Sequence, residues 1–264
     1  MKLNQFLIFS AFVLAGNTTV FAQALTIDHR QMTVDTVGLM GDIQFNLDFN
    51  NNASTQAEDK NFLGLKAISN ISYFTKKHHF FLKSQLSHFR FNNSSFANKG
   101  YSHLRVNFMH ENKFAPEAFA QINFDQLRKL NMRHISGVGV RYIFVKNENT
   151  EMEAGTAAAF EHEDWEDFVT AQTITKNLIK SSSYLALYKI VGNFGLSMHG
   201  LFQTGYDGDI NRFRNRVTGY IDLNNFINKH LTLVIRFESH YDALPIVPIK
   251  EFTYSVSNAI KLHF

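Results

Sequence analysis

Residues 252–264 read Phe-Thr-Tyr-Ser-Val-Ser-Asn-Ala-Ile-Lys-Leu-His-Phe, a stretch in which apolar and polar residues alternate. Alternation of this kind places apolar side chains on one face of a β-strand and polar side chains on the other. A terminal aromatic residue after alternating apolar positions resembles the signal read by the machinery that assembles outer-membrane barrels. There the last strand closes the barrel and leaves no open edge in lipid. We therefore predict a membrane barrel, and Asn258 is the one departure from the apolar row. The predicted assembly signal consists of Tyr254, Val256, Ile260, Leu262 and Phe264.

The same two-residue period recurs along the chain. In one example, Leu104 and Val106 alternate with Arg105 and Asn107. Comparable alternation covers residues 43–49, 117–125, 137–144, 151–161, 213–223 and 231–238. Less regular strand-like stretches are 62–74, 78–91, 167–178, 181–191 and 193–205. Polar clusters that predict hairpin turns are 50–52, 92–95, 146–149, 206–209 and 224–225. Because single-chain bacterial barrels normally have an even number of strands, we predict an all-β, transmembrane, antiparallel up-and-down β-barrel of about 12 strands, within a range of about 10–14.

Composition narrows the classes of protein. The 264 residues suit one large all-β domain. The 27 Phe and 9 Tyr favour strands and membrane interfaces. Proline lacks the backbone donor that a strand ladder needs, and the chain has only 3 Pro, so the ladders can run with little interruption. The absence of Cys excludes disulfides, thiolate metal sites and a cysteine nucleophile. A net charge of +3 without a basic run predicts no nucleic-acid partner.

The first segment predicts export. Lys2, an apolar run over residues 6–16 and small residues near Ala22 and Ala24 are typical of a secretory signal peptide. The run is about half of the ~20 residues that an anchor helix needs. We assign residues 1–22 to the signal peptide, with cleavage after residue 24 as the alternative, residues 23–40 to an N-terminal leader, and residues 41–264 to the barrel.

Alternation alone also fits a soluble barrel or a β-sandwich. The polar faces of the strands favour the membrane reading, because they carry charges that a dry soluble core would not tolerate but a hydrated, ion-paired lumen accepts. The predicted lumen-facing residues are Arg105, Asp125, Arg141, Glu151, Glu153, Arg214, Arg216, Arg236 and Glu238.

A family resemblance rests on residues 119–164. It is carried by Phe119-Ala120-Gln121-Ile122-Asn123-Phe124-Asp125, Arg133-His134-Ile135-Ser136-Gly137-Val138-Gly139-Val140-Arg141-Tyr142, Glu153-Ala154-Gly155-Thr156 and Phe160-Glu161-His162-Glu163-Asp164. These motifs resemble the salt-induced outer membrane proteins (YdiY-like), a family with a domain of unknown function. The resemblance implies an outer-membrane barrel without an established activity.

No catalytic or metal site is predicted. Ser87-His88 and Ser102-His103 are adjacent pairs, and neighbours on a strand point to opposite faces, so neither pair provides a nucleophile with its base. Gly137-Val138-Gly139 lacks the third glycine and the helix of a phosphate cradle, and is expected to let a neighbouring Arg or Tyr lie across the wall. The acidic residues between Glu151 and Asp167 are interpreted as a solvated loop with glutamates paired to Arg141, and a divalent-cation site in the loop 161–167 is the alternative.

Three functions from different classes remain open. The leading hypothesis is a narrow pore for small solutes or ions, although side chains can fill an interior of ~12 strands. The alternative is a non-conducting structural or stress-related envelope barrel, and a lipid hydrolase ranks third. We expect no enzyme activity, no cofactor and a location in the outer membrane of a Gram-negative cell. The expected partners are outer-membrane lipid, lipopolysaccharide, the barrel-assembly machinery and periplasmic chaperones.

Overall fold

The structure, a computed structural model, describes residues 37–51, 61–91 and 94–264. Twelve antiparallel strands close into a barrel in which every strand pairs with its neighbours in sequence. In the described part of the chain, no helix is both long and apolar enough to cross a bilayer. The strands are β1 Gly38–Asn51, β2 Asn61–Phe74, β3 His78–Phe91, β4 Ser94–Phe108, β5 Phe114–Asp125, β6 Leu130–Asn147, β7 Thr150–Glu166, β8 Thr173–Val191, β9 Phe194–Asp207, β10 Arg212–Phe226, β11 Leu231–Asp242 and β12 Phe252–His263, with a 3₁₀ turn at Gln126–Arg128.

Closure of the barrel joins β1 to β12, with Phe45 opposite Ile260. Gly41 and Phe264 exchange two backbone hydrogen bonds, of 3.1 and 3.0 Å. A Cβ atom at Gly41 would lie 2.7 Å from the Phe264 ring, so the missing side chain makes room for that ring. The seam therefore depends on a glycine in the first strand and the aromatic residue that follows the last.

The outer surface is apolar and the inner surface is charged. Large apolar side chains such as Leu86, Val138 and Ile179 are 66%, 66% and 76% exposed, whereas the charged residues between them in sequence are buried inside the barrel. On β7 the apolar outer row runs from Met152 to Phe160, which corresponds to a band about 20–25 Å tall for tilted strands. This is the inverse of a water-soluble protein and matches a barrel that spans a membrane.

The structure confirms the predicted fold class and the strand number. It corrects several boundaries. The barrel begins at Gly38 rather than at residue 41, and residues 167–178 and 181–191 belong largely to one strand, β8. The predicted turn at 224–225 lies inside β10, because Asn224 continues the inward row and the chain reverses only after Phe226. The predicted signal peptide and most of the leader lie outside the described residues.

Candidate functional site: the charged lumen

All nine residues predicted to face the lumen are buried inside the barrel. They do not form one site, because they are distributed along its whole height. We call the end with the turns at 126–129, 167–172, 208–211 and 243–251 the loop end, and the end that holds Gly38 and Phe264 the terminal end. Arg214, Arg216 and Asp125 lie toward the loop end, whereas Glu151 and Glu153 lie toward the terminal end.

Arg216 organises the network near the loop end. Its Nε donates to Asp242 at 2.8 Å, and its two terminal nitrogens donate to Glu163 at 2.6 and 3.1 Å. Glu161 also lies 3.4 Å from Arg216 and pairs with Arg133 and Lys180. The alternation of β7 points both glutamates inward, where Arg216 binds Glu163 in a bidentate pair and Arg133 and Lys180 balance Glu161.

A stack of cations and rings crosses the middle of the lumen. The Arg105 guanidinium lies 4.9 Å from the centre of the Tyr184 ring, and Tyr184 stacks on His199 with centroids 5.7 Å apart. His199 stacks on Tyr220 at 5.3 Å, and Arg236 lies 5.2 Å from the Tyr220 ring. Cation–π contacts and stacking hold such groups in fixed positions. The stack therefore joins Arg105 of β4 to the row that Tyr184, His199, Tyr220 and Arg236 form on β8 to β11.

Ion pairs fix both ends of this stack. Arg105 pairs with Glu117 at 3.6 Å, and the Tyr184 hydroxyl donates to Glu117 at 3.1 Å. Arg236 pairs with Asp222. Toward the terminal end Arg141 lies 3.4 Å from Glu153, which is the pairing expected from the sequence.

Inward glycines make space for the large rings. A Cβ atom at Gly155 would lie 2.3 Å from Cε1 of Tyr184, and one at Gly137 would lie 2.7 Å from the Phe119 ring. The Gly-x-Gly motif of β6 thus accommodates Phe119 rather than the Arg or Tyr predicted from the sequence. Phe119, which occupies the space, comes from the adjacent strand β5. The local sequence does not show which residue of β5 pairs with Gly137 of β6.

An apolar cap, formed by residues 243–251, covers the loop end. Val247 is buried against Leu130 and Trp165, with Ile174, Ile246 and Ile249 packed around them. The Arg214 guanidinium donates to the carbonyl of Leu244 and so ties the cap to β10. The cap was not predicted from the sequence. The apolar residues Ile246 and Val247, between Pro245 and Pro248 in the connection from β11 to β12, could have indicated a buried segment there.

Two small cavities lie between the side chains of the lumen. The larger of two cavities has a volume of about 30 Å³ and the smaller about 20 Å³, and Arg133 and Gln203 line both. Each volume suffices for one water molecule. The buried residues of the described chain include eleven carboxylates and ten lysine or arginine side chains, so the interior is nearly neutral and favours neither anions nor cations as a whole.

The acidic segment is not a loop. Residues 161–166 belong to β7, which turns Glu161 and Glu163 inward and Asp164 outward. No group of three potential ligands that could hold a metal ion occurs within the described residues. The outward side chains lie beyond the apolar band, where a hydrogen bond with Asn177, supported by one with Asp164, raises the pKa of His162. The Thr175 hydroxyl donates to Asp164 at 2.6 Å and lowers the pKa of that carboxyl.

The Ser-His pairs lie as the strand geometry requires. Ser87 is buried in the lumen, whereas His88 faces outward and bonds Asn98 at 2.8 Å. His103 is buried inside, whereas Ser102 faces outward and bonds Ser84 at 3.2 Å. Neither pair brings a hydroxyl to its neighbouring imidazole.

Comparisons with solved structures concern the fold. The COG4313 outer membrane channel from Pseudomonas putida F1 aligns with a TM-score of 0.54 and 12% identity, over 90% of this chain and 99% of that one. The NanC porin gives a TM-score of 0.48 at 8% identity, over 85% and 98% of the two chains. An anion-selective porin from Comamonas acidovorans gives 0.42 at 11% identity, over 87% and 99%. The first of these likenesses supports the outer-membrane type of barrel, and the identities are too low to carry an activity.

Comparisons of sequence define the family. The curated proteins give no match. Residues 59–246, well over half of the chain, match the model of a family described as "Protein of unknown function, DUF481". The region that carries the predicted resemblance, residues 119–164, lies within this match, which confirms a family of unknown function and leaves the salt-induced name a prediction. With its closed twelve-stranded barrel and this match, the chain belongs to the DUF481 family.

Proposed function

We propose that the protein is an integral barrel of a Gram-negative outer membrane and that its lumen is closed by its own side chains. On this proposal it serves the envelope as a structural or stress-related barrel rather than as an open pore. The observation that carries the proposal is the row of charged and aromatic side chains from Arg105 to Arg236 at mid-height of the lumen, with cavities of only about 30 and 20 Å³ beside it. An open pore needs a continuous path wider than one water molecule for any solute.

The location follows from the outer face. The apolar band would be covered by outer-membrane lipid, with lipopolysaccharide at the loop end, and export would use the predicted signal peptide, periplasmic chaperones and the barrel-assembly machinery. The test is fractionation of cells followed by a gel that compares boiled with unboiled protein, because folded membrane barrels resist SDS until heated. Protein found in the periplasm without a heat-dependent shift would contradict the proposal.

Electrical recording tests the closed lumen. Purified full-length protein inserted in a planar lipid bilayer is expected to show no discrete conductance steps over a wide range of voltages and salt concentrations. Insertion itself would be verified by the heat-dependent gel shift of the same sample. Reproducible openings of the wild-type protein would contradict the closed lumen.

Those openings would instead support the second candidate, a narrow gated pore for small solutes or ions. One observation favours it: the two cavities adjoin at Arg133 and Gln203, whose side chains are joined by a 3.4 Å hydrogen bond. Movement of these two side chains would merge the cavities. If wild-type openings occur, the double variant Arg133→Ala, Gln203→Ala is expected to raise their conductance.

The proposal includes no catalytic role. The sequence offers three adjacent Ser-His pairs, at 87–88, 102–103 and 239–240, and each pair is divided between the two faces of its strand. Release of fatty acid from lipid by the purified protein in the presence of calcium would contradict this part of the proposal.

The assembly signal gives a separate prediction. Phe264→Ala is expected to lower the amount of folded protein in the outer-membrane fraction several-fold, because the ring lies against Gly41 at the seam where the barrel closes. Folded and unfolded fractions would be measured by the heat-dependent gel shift. Phe213→Ala, which removes an equally exposed ring from the outer face of β10, is the matched control and is expected to leave the amount nearly unchanged. Equal amounts of folded protein for the two variants would exclude a special role for Phe264.

A further inference from the structure

The larger cavity lies directly beneath the apolar cap. Leu130 and Trp165 line the cavity and also contact Val247 of the cap. The remaining wall is polar and includes Arg128 and His240. The cap therefore packs directly on two of the residues that line the chamber.

Three buried nitrogen atoms from residues that line this cavity lack a hydrogen-bond partner among the described residues: Trp165 Nε1, Arg128 Nη2 and His240 Nε2. Indole and guanidinium nitrogens act only as donors. His240 is engaged at its other nitrogen, Nδ1, by the Thr218 hydroxyl at 3.1 Å, which leaves Nε2 available to face a ligand. Because buried donors are costly when they remain unpaired, the chamber is suited to a hydrogen-bond acceptor.

The charges around the chamber favour a negative acceptor. Asp125 pairs with Lys99 at 3.5 Å, and Asp242 pairs with Arg216 at 2.8 Å. No carboxylate of the described chain lies within ion-pair distance, 4.0 Å, of the Arg128 guanidinium. Three arginines and three carboxylates line the chamber, and Arg128 is the one of these arginines that has no carboxylate partner in the described chain. The six residues are Arg128, Arg133 and Arg216 with Asp125, Glu163 and Asp242.

We propose that this chamber is a binding site for a single halide-sized anion, held by Arg128, Trp165 and His240 under the cap. A cavity of about 30 Å³ has room for at least one water-sized particle, so a monatomic anion fits. One bound anion would pair with the Arg128 guanidinium and satisfy donors that no protein group reaches.

The experiment uses Trp165, the only tryptophan of the chain, as a reporter in the wall of the site. The folded full-length protein in detergent is titrated with sodium bromide while sodium gluconate keeps the ionic strength constant, and the tryptophan fluorescence is recorded. Bromide quenches tryptophan at contact. Binding predicts quenching that saturates and is reversed by excess sodium chloride. A linear, unsaturable response that chloride does not reverse would mean that the chamber holds water only, and would overturn the proposal.

Two variants localise the effect. Arg128→Gln removes the unpaired cation and is expected to weaken bromide binding about tenfold or more, because a hydrogen bond to a charged group is lost. Arg212→Gln removes an exposed arginine at the same end of the barrel and is expected to leave bromide binding unchanged. If folded Arg128→Gln protein binds bromide with the affinity of the wild type, the assignment of the site is wrong. If that variant does not fold, His240→Leu removes a donor without changing the formal charge and should weaken binding too.

Discussion

Arg216→Met is expected to lower the free energy of unfolding by about 3–5 kcal/mol, because it leaves buried carboxylates without their partner. Arg216 binds Asp242 through Nε and Glu163 through both terminal nitrogens, and all three side chains are buried. Glu163 keeps Arg133, but Asp242 keeps no other ion pair among the described residues. The measurement is urea-dependent unfolding in detergent micelles, followed by the heat-dependent gel shift.

The matched control lies four residues earlier on the same strand. Arg212→Met alters an exposed arginine and is expected to change the free energy of unfolding by less than about 0.5 kcal/mol. Adding Asp242→Asn to Arg216→Met should recover part of the loss, because it removes the orphaned charge. A loss below about 1 kcal/mol for Arg216→Met would mean that water enters the lumen and solvates these carboxylates.

Gly155→Ala is expected to destabilise the barrel by about 1–3 kcal/mol, the usual cost of overpacking a filled interior. The added Cβ would lie 2.3 Å from Cε1 of Tyr184. That ring has little freedom to move, since its hydroxyl donates to Glu117 and Arg105 lies over its face. Urea-dependent unfolding in micelles measures the effect.

Gly200→Ala is the control for this substitution. Gly200 lies on the outer face of β9, and a Cβ atom there meets nothing within 4 Å. We expect a change close to zero or a slight stabilisation, because alanine restricts the unfolded chain more than glycine does. Equal losses for Gly155→Ala and Gly200→Ala would show that glycine conformation, and not the space for Tyr184, sets the cost.

The sequence predicted the strands well because alternation is a local property. Each inward charge, from Arg105 on β4 to Glu238 on β11, could be assigned to a face from its immediate neighbours. The stretches over 62–74 and 78–91 matched β2 and β3 to within a residue. Boundaries failed where lumen-facing polar residues continue a strand toward its end, as at Asn224 on β10 and at Glu161 and Glu163 on β7. Polar residues in such places are typical of turns in sequence, yet ladder hydrogen bonds to the neighbouring strand keep them extended.

The candidate site was visible only in part. The types of residues in the lumen followed from the sequence, but their partners did not. Tyr184 reaches Glu117 across 67 positions and Arg216 reaches Glu163 across 53. The cap over Trp165 comes from yet another part of the chain.

The sequence by itself determined that alternate residues face lipid and lumen, that strand follows strand, and that the lumen is charged. Only the tertiary structure decided which side chains pair inside the lumen, that Gly155 admits Tyr184, and that residues 243–251 pack over Trp165. The physical reason is that the backbone geometry of two successive residues sets the side of the sheet on which each side chain lies. Packing of the side chains depends instead on the register of the closed barrel. That register brings together side chains from strands distant in sequence, and their sizes and charges decide together how much space remains.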